Sequence, residues 1–180
     1  MKPTDATLTE QLRLTENEIR LRQKLLHFSS EDKGALLEAR PIIAKHVDDL
    51  VEEHYAEQVE IDEVSRLIGD SESLLRLKKT LRKYVLDLFE GDYDTEYVQS
   101  RLRIGLVHKR IGVTPKLYIS AVSNLIKRIK TVLIDQKEAD CVKCSHQIDA
   151  FNKLIFFDLE LVFDTYIQGL LMSWNMEKMR

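Results

Sequence analysis

His108 is the residue of this chain whose surroundings most favour chemistry. It lies in the segment Arg103–Pro115, and helical spacing places it on one face with Tyr97, Ile104 and Ile111. An imidazole inside such an apolar stripe loses hydration, so a carbonyl must satisfy it or a metal must take it as a ligand. Periodicity alone favours the satisfied core histidine, and the neighbouring residues have to decide between the two.

Cys141, Cys144 and His146 form a second group of metal-ligand types. Ser145 separates the second cysteine from His146, which excludes the motif for covalent haem attachment. A zinc site would need a fourth ligand, and a thioredoxin-like motif would need a βαβ context that the chain lacks. We therefore predict two ordinary cysteines at a helix start, with metal binding or redox chemistry as the open alternative.

The elements that must position these residues are predicted to be helices throughout. Six Gly and three Pro in 180 residues are too few for an all-β fold with many tight turns. Caps, glycines and apolar periodicity predict these segments: Leu8–Phe28, a helix starting at Ser29 and Ser30, Pro41–Val59 as a separate helix, Ile61–Ile68, a helix capped by Ser71, a helix capped by Asp94 and closed by Gly112, Pro115–Ile134, and a last helix from about Glu138 onward.

Composition and charge are those of one globular domain, which we expect in a reducing cytoplasm. The formal net charge is −3, no apolar run is long enough to span a membrane, and no signal peptide is visible. The charges are nevertheless segregated. Residues 41–70 hold nine acids and two bases, whereas residues 71–130 hold thirteen bases and six acids. Without a recognition-helix pattern we predict no nucleic-acid binding, and we expect the basic region to face its acidic neighbour.

The last helix is apolar over an arc too wide for an ordinary surface helix. Its apolar residues run from Ile148 to Leu171 and include Phe151, Leu154 and Phe156. One face can pack on the core of the domain, and a second copy of the chain is the simplest partner for the other. The alternative is a central helix that a monomer buries on all sides.

Three segments resemble the haem-binding globin domain of globin-coupled sensors. Arg103–Pro115, continuing to Ala121, resembles the proximal-helix signature of that family, and Phe157–Ile167 resembles its final globin helix. Glu53–Val59 resembles its distal segment, with His54 in place of the usual phenylalanine. The resemblance covers roughly residues 20–168. It implies an all-α, globin-like fold with a helical extension at residues 1–28, a sensor domain at 29–170, the start of a linker at 171–180, and a dimer through the last two helices.

The resemblance also implies a set of site residues around haem b. His108 matches the proximal ligand of the iron, and Tyr55 matches the distal tyrosine that donates a hydrogen bond to bound oxygen. The remaining predicted haem contacts are Leu77, which limits access to the iron, Tyr118 behind the proximal helix, and Ile104 and Ile111. Basic residues that flank the same helix either meet the haem propionates or form a solvated face; they are Arg101, Arg103, Lys109 and Arg110.

The implied function is oxygen sensing, with CO and NO as further candidate ligands. The family's outputs suggest a diguanylate cyclase first, a chemotaxis transducer second and a histidine kinase third, and no catalytic residue is predicted in these 180 residues. His54 or His46 as a second iron ligand is the alternative to Tyr55. The alternative functions are a globin-fold regulator without haem, a thiol or zinc sensor, and a haem enzyme. The last is disfavoured because the Tyr55 segment holds no histidine–arginine pair.

Overall fold

The computed structural model describes residues 8–135 and 141–178, with side chains from Thr9 to Asp135 and from Val142 to Gln168. Within these ranges all regular structure is helical. The eight helices are α1 (Leu8–Gln11), α2 (Glu16–Leu25), α3 (Ser30–Val59), α4 (Asp62–Ile68), α5 (Ser71–Asp87), α6 (Thr95–Arg110), α7 (Pro115–Ile134) and α8 (Cys141–Lys178). The all-α prediction is confirmed.

Helix α3 differs most from its prediction. The separate helix expected from Pro41 is wrong, because one continuous helix runs through the proline. Pro41 donates no backbone hydrogen bond to the carbonyl of Leu37. The buried residues Ala39 and Ile43 nevertheless keep one helical face on both sides of it. Burial of that uninterrupted face outweighs the missing bond.

Local signals account for most of the other boundaries. The N-terminal stretch is two helices rather than the one expected, since Arg13 turns with φ 55° and Thr15 caps α2. Asp70, and not Ser71, caps α5 by accepting from the backbone N–H of Ser73. The start of α7 at Pro115, after Thr114, is as expected.

The described chain forms two compact units. The first contains the residues up to Ser29 together with Asp92–Ile111 and the chain from Lys153 onward, and so holds α1, α2, α6 and most of α8. Its buried apolar side chains come from the N-terminal segment, from α6 and from α8; they include Leu14, Ile19, Phe28, Val98, Leu102, Leu154, Phe157 and Leu161.

The second unit contains Ser30–Gly91 and Gly112–Asn152. In it α3 packs against α4, α5 and α7. Its buried apolar side chains include Leu36, Ile43, Val47, Val85, Phe89, Leu125, Ile129 and Phe151. The rings of Phe89 and Phe151 stack with centroids 5.6 Å apart.

The segregated charges are paired inside this second unit. Acidic side chains of α3 and α4 meet basic side chains of α5 and α7 in the pairs Glu52–Lys78, Asp48–Arg82, Glu63–Lys116, and Glu53 and Glu57 with Arg128. The expectation that the basic region faces its acidic neighbour is thereby confirmed. In the described part of the chain, no helix combines the length and the low polarity that crossing a membrane requires.

Candidate functional site

Helix α6 places His108 in its last turn. The helix begins where the Asp94 carboxylate accepts hydrogen bonds from the backbone N–H groups of Glu96 and Tyr97, at 2.9 and 3.1 Å. It ends at Arg110, and Gly112 follows with φ 85°, a conformation that favours glycine. Both ends are as the sequence predicts, so the position of His108 on α6 follows from local signals.

The His108 side chain is half-buried, and a hydrogen bond within its own helix fixes its tautomer. Its Nδ1 lies 2.9 Å from the carbonyl oxygen of Ile104. A carbonyl can only accept, so Nδ1 carries the hydrogen and Nε2 of the neutral ring carries the lone pair. Burial lowers the pKa of His108, and the bond to Ile104 opposes that shift in part. A neutral imidazole with an oriented Nδ1–H is the form that ligates a metal through Nε2.

The two isoleucines predicted beside His108 differ in exposure. Ile104 is half-buried one turn before it. Ile111 follows the last helical residue and is 44% exposed. The apolar stripe predicted from the sequence therefore ends near His108 and does not continue past it.

Arg101 is the clearest correction to the sequence-based interpretation of α6. It was expected on a solvated face or at a propionate, but its side chain is only 1% exposed. Its Nε lies 3.0 Å from Oδ2 of Asp158 on α8, and its guanidinium lies 4.1 Å from the centre of the Tyr97 ring. The Tyr97 hydroxyl donates to Oδ1 of the same carboxylate at 2.6 Å. We call Tyr97, Arg101 and Asp158 the α6–α8 clamp.

The sequence carried a partial signal for this clamp. Tyr97 and Arg101 are four residues apart and so share a face of α6, and Asp158 interrupts the most apolar stretch of the chain. The periodicity could not show that Asp158, 57 residues after Arg101, is its partner.

Gly105 lies where α6 and α8 approach each other closely. A Cβ at this position would overlap Oγ1 of Thr165 and lie 3.0 Å from the carbonyl oxygen of Val162. A glycine inside a helix costs about 1 kcal/mol, which close approach of a macrocycle or of another helix would justify. Helix α8 supplies the second reason.

Tyr55 lies on α3 beside His54. The Tyr55 side chain is half-buried, and burial raises its pKa to about 12. The phenol therefore stays protonated at neutral pH and can donate a hydrogen bond. The two rings meet edge to face, with centroids 5.4 Å apart.

His54 is the more buried of the two, at 6% exposure, and its Nδ1 has no hydrogen-bond partner among the residues that the structure describes. Burial, with help from the positive charge of Arg128, lowers its pKa to about 4. His54 is therefore a neutral ring at pH 7. His46, the other candidate for a second iron ligand, lines a polar cavity of about 380 Å³ together with residues of α3 and α7 that include Asp49, Glu53, Lys127 and Arg128.

The other two predicted site residues belong to the second unit. Leu77 is half-buried on α5, as are Leu74 and Leu81 on the same helical face. Tyr118 is buried on α7 with 7% of its surface exposed. Helix α6 thus brings Ile104 and His108 together in the first unit, and Tyr55, Leu77 and Tyr118 lie in the second.

The cysteine motif is described only in part, because the side chain of Cys141 lies outside the described residues. Cys144 is half-buried, and its thiol donates to the carbonyl oxygen of Leu133 at 3.3 Å. Among the side chains that the structure describes, no three histidine, cysteine, aspartate or glutamate residues are grouped to hold a metal ion. The ordinary structural role remains our prediction for this pair.

All regular structure in the described residues is helical and α6 carries a histidine in its last turn, which is the arrangement expected of a globin-like class of protein. The chain belongs to the protoglobin family, which matches residues 15–171. The predicted resemblance to globin-coupled sensors is confirmed.

Two known proteins illustrate the relationship. The heme-based aerotactic transducer HemAT of Halobacterium salinarum is 29% identical over an alignment of 171 positions that covers 90% of this chain and 35% of that transducer. The chain thus spans about a third of the length of this relative. The globin domain of the Geobacter sulfurreducens globin-coupled sensor superposes with a TM-score of 0.77 at 21% identity, covering 82% of this chain and 96% of that one.

Proposed function

We propose that this chain is a haem-binding, gas-sensing globin domain with His108 as the axial ligand of the iron. The observation that carries the proposal is the bond between Nδ1 of His108 and the carbonyl of Ile104. That bond fixes the tautomer with a lone pair on Nε2, and burial keeps the ring neutral. The same bond would satisfy a core histidine, and ligation is favoured because the ring lies in the segment that resembles the proximal helix of the sensors, in a chain of the protoglobin family.

The residues described in each unit fit an apolar macrocycle with one nitrogen ligand. Helix α5 presents the half-buried Leu74, Leu77 and Leu81, and α6 presents the half-buried Ile104. Half-buried aliphatic side chains of this kind suit the face of a porphyrin. Ferrous haem, here haem b, supplies an iron that binds a diatomic gas when a histidine occupies the opposite side.

We assign the distal role to Tyr55 and not to His54. The Tyr55 hydroxyl is protonated at neutral pH and can donate, and a hydrogen bond to oxygen at a ferrous iron would favour that gas over carbon monoxide. His54 lies one residue away, about 100° around the helix, so the two side chains do not point in the same direction. Leu77 would restrict access to the iron, and Tyr118 would support the proximal side.

The signalling role rests on the relatives and on the exposed apolar side chains of α8. Phe156 and Ile167 are 60% and 53% exposed and share one face of the helix. We propose that this face, with α7, forms a homodimer that passes the ligand state to a C-terminal output domain. A diguanylate cyclase is our first candidate for that output. Gas binding regulates only if one arrangement of the dimer binds the gas better than the other.

The test is an absorption spectrum of the purified chain, oxidised, reduced, and reduced in the presence of oxygen. We expect a Soret band that His108→Ala abolishes and that His27→Ala, the matched control at an exposed histidine, retains. Reduced spectra would also reveal a second histidine at the iron. If reconstitution gives no Soret band, the haem proposal fails and the globin-fold regulator without haem takes its place.

A further inference from the structure

The α6–α8 clamp is buried and charged, which needs a reason beyond stability. Arg101 and Asp158 are 1% and 2% exposed, and the Tyr97 ring and hydroxyl complete their surroundings. A buried ion pair of this kind gains little over well-packed apolar side chains, because desolvation offsets the attraction. The ion pair can instead fix one arrangement of α6 relative to α8. A carboxylate that is bonded from two directions opposes both sliding and rotation of the two helices.

The contacts with α8 continue along α6 as far as His108. Every fourth residue from Tyr97 onward faces α8: after Arg101 comes Gly105, where an added Cβ would meet Val162 and Thr165, and then Lys109. The ammonium of Lys109 donates to the carbonyl of Thr165 at 3.5 Å. Lys109 is the sequence neighbour of His108, so the part of α6 that carries the imidazole is the part whose rotation α8 fixes.

The imidazole is in turn fixed to α6. Its Nδ1–H is bonded to the carbonyl of Ile104, which belongs to the helix backbone. A rotation of α6 therefore turns the bonded ring with it, and a force on the ring is transmitted to α6. The order of contacts is His108 to α6, α6 to the clamp, and the clamp to α8.

We propose that Tyr97, Arg101 and Asp158 are positioning residues that hold the His108 imidazole in its ligand orientation and couple it to α8. The inference deepens the proposed function, because haem is the group that His108 would ligate. The clamp acts on the imidazole through α6, to which Tyr97 and Arg101 belong. On this account, a ligand-dependent movement of His108 reaches α8 through a rigid polar contact and not through a deformable apolar one.

The first experiment examines the chain without haem. The double variant Arg101→Met/Asp158→Leu removes both charges, so no buried charge is left alone, and Tyr97→Phe removes one hydrogen bond. The control is Asp164→Asn, which breaks the Arg22–Asp164 pair (2.7 Å) between α2 and the same helix α8. With ¹⁵N-labelled histidine, we expect solvent exchange of the His108 Nδ1–H to be at least tenfold faster in the double variant and unchanged in the control.

A purely structural role predicts a different pattern. The double variant would then change the melting temperature, while a folded sample with wild-type far-UV circular dichroism would show wild-type exchange at His108. That result overturns the proposal. If the double variant does not fold, Tyr97→Phe, which keeps the ion pair, decides by the same measurement: accelerated exchange supports the clamp, and wild-type exchange overturns it.

The second experiment uses the full chain reconstituted with haem. The iron–histidine stretching band in the resonance Raman spectrum reports the orientation and hydrogen bonding of the ligand. We expect this band to shift or broaden in the double variant and to stay at its wild-type position in Asp164→Asn. An unmoved band in a folded, reconstituted double variant contradicts the proposal. If the wild-type chain binds no haem, the proposed function fails, and the exchange measurement still decides the clamp.

Discussion

Two histidines of this chain lose hydration on folding, and their partners make them chemically different. His108 donates through Nδ1 to the carbonyl of Ile104, whereas Nδ1 of His54 has no hydrogen-bond partner in the described part of the chain. Burial lowers the pKa of both. His108 is therefore a neutral ring with a defined tautomer, and His54 is a neutral ring whose charged form is penalised by burial.

The protonation of His54 predicts a loss of stability in acid. Its pKa falls from 6.5 to about 4 on folding, so the folded state binds fewer protons than the unfolded state between those values. The free energy of unfolding should decrease as the pH drops through this window, by up to about 3 kcal/mol, and should not change further below pH 4 on account of this residue. His54→Phe should remove that dependence in urea titrations between pH 4 and 7. The control is His27→Asn, which replaces an exposed histidine. If the free energy of unfolding decreases in acid by the same amount in His54→Phe and the wild type, the prediction is contradicted.

The distal assignment predicts an effect on gas release. One hydrogen bond to a charged or strongly polarised group is worth roughly 1.5–3 kcal/mol, so Tyr55→Phe should accelerate oxygen dissociation from the reduced, haem-reconstituted chain by about ten- to a hundredfold. Stopped-flow displacement by carbon monoxide measures this rate. His54→Phe, the neighbouring substitution, should change it far less. If His54→Phe accelerates oxygen dissociation and Tyr55→Phe does not, His54 and not Tyr55 is the distal donor.

The sequence predicts single residues well where a local rule decides and poorly where a distant partner decides. The carboxylate of Asp94 caps its own helix, so its role is visible in four consecutive residues. Arg101 gave no such signal, because one charge on a helical face fits solvent, a propionate or a buried partner equally well. Its partner Asp158 lies on another helix.

At the scale of an element, α3 shows how a continuous buried face overrides a local rule. Proline within a helix costs up to about 3 kcal/mol, yet α3 continues through the exposed Pro41. Pro41→Ala should therefore raise the free energy of unfolding by about 1–3 kcal/mol. Pro115→Ala is the matched control, since Pro115 occupies the first turn of α7, where its missing N–H has no helical acceptor. If chemical denaturation shows Pro41→Ala to be less stable than the wild type, the proline stabilises the protein by restricting the conformations of the unfolded chain, and this effect outweighs its cost in the helix.

The crossing of α6 and α8 gives a second prediction at this scale. Gly34 and Gly105 are both interior helical glycines, and alanine at such positions ordinarily stabilises by about 0.5–1 kcal/mol. Gly34→Ala should follow that rule, because nothing lies within 4 Å of the position that its Cβ would take. Gly105→Ala should instead destabilise by about 1–3 kcal/mol, because its Cβ meets Thr165 and the backbone of Val162. Chemical denaturation of the two variants tests the opposite signs, and equal stabilisation would mean that α8 yields at the crossing.

At the scale of the whole molecule, helix type and most helix boundaries follow from the sequence, and the assembly does not. The Asp94 cap and Gly112 mark the two ends of α6 correctly, and Thr114 followed by Pro115 marks the start of α7. The wide apolar arc of the last helix was ambiguous, since a core helix and a dimer helix give the same pattern. The structure divides that arc: Phe151, Leu154 and Phe157 are buried, whereas Phe156 is 60% exposed. Only the exposed part is left for a partner.

The proposed dimer predicts which exposed apolar residues matter. Phe156 on α8 and Leu25 on α2 are 60% and 68% exposed, so each loses little packing when it is replaced. Phe156→Arg places a charge in the proposed interface, where it would be desolvated without a partner, and Leu25→Arg places one in solvent. We expect sedimentation to give twice the chain mass of 21.0 kDa for the wild type and Leu25→Arg, and the single chain mass for Phe156→Arg. A dimer that survives Phe156→Arg would move the interface away from this face of α8, and a monomeric wild type would remove the dimer from the signalling proposal.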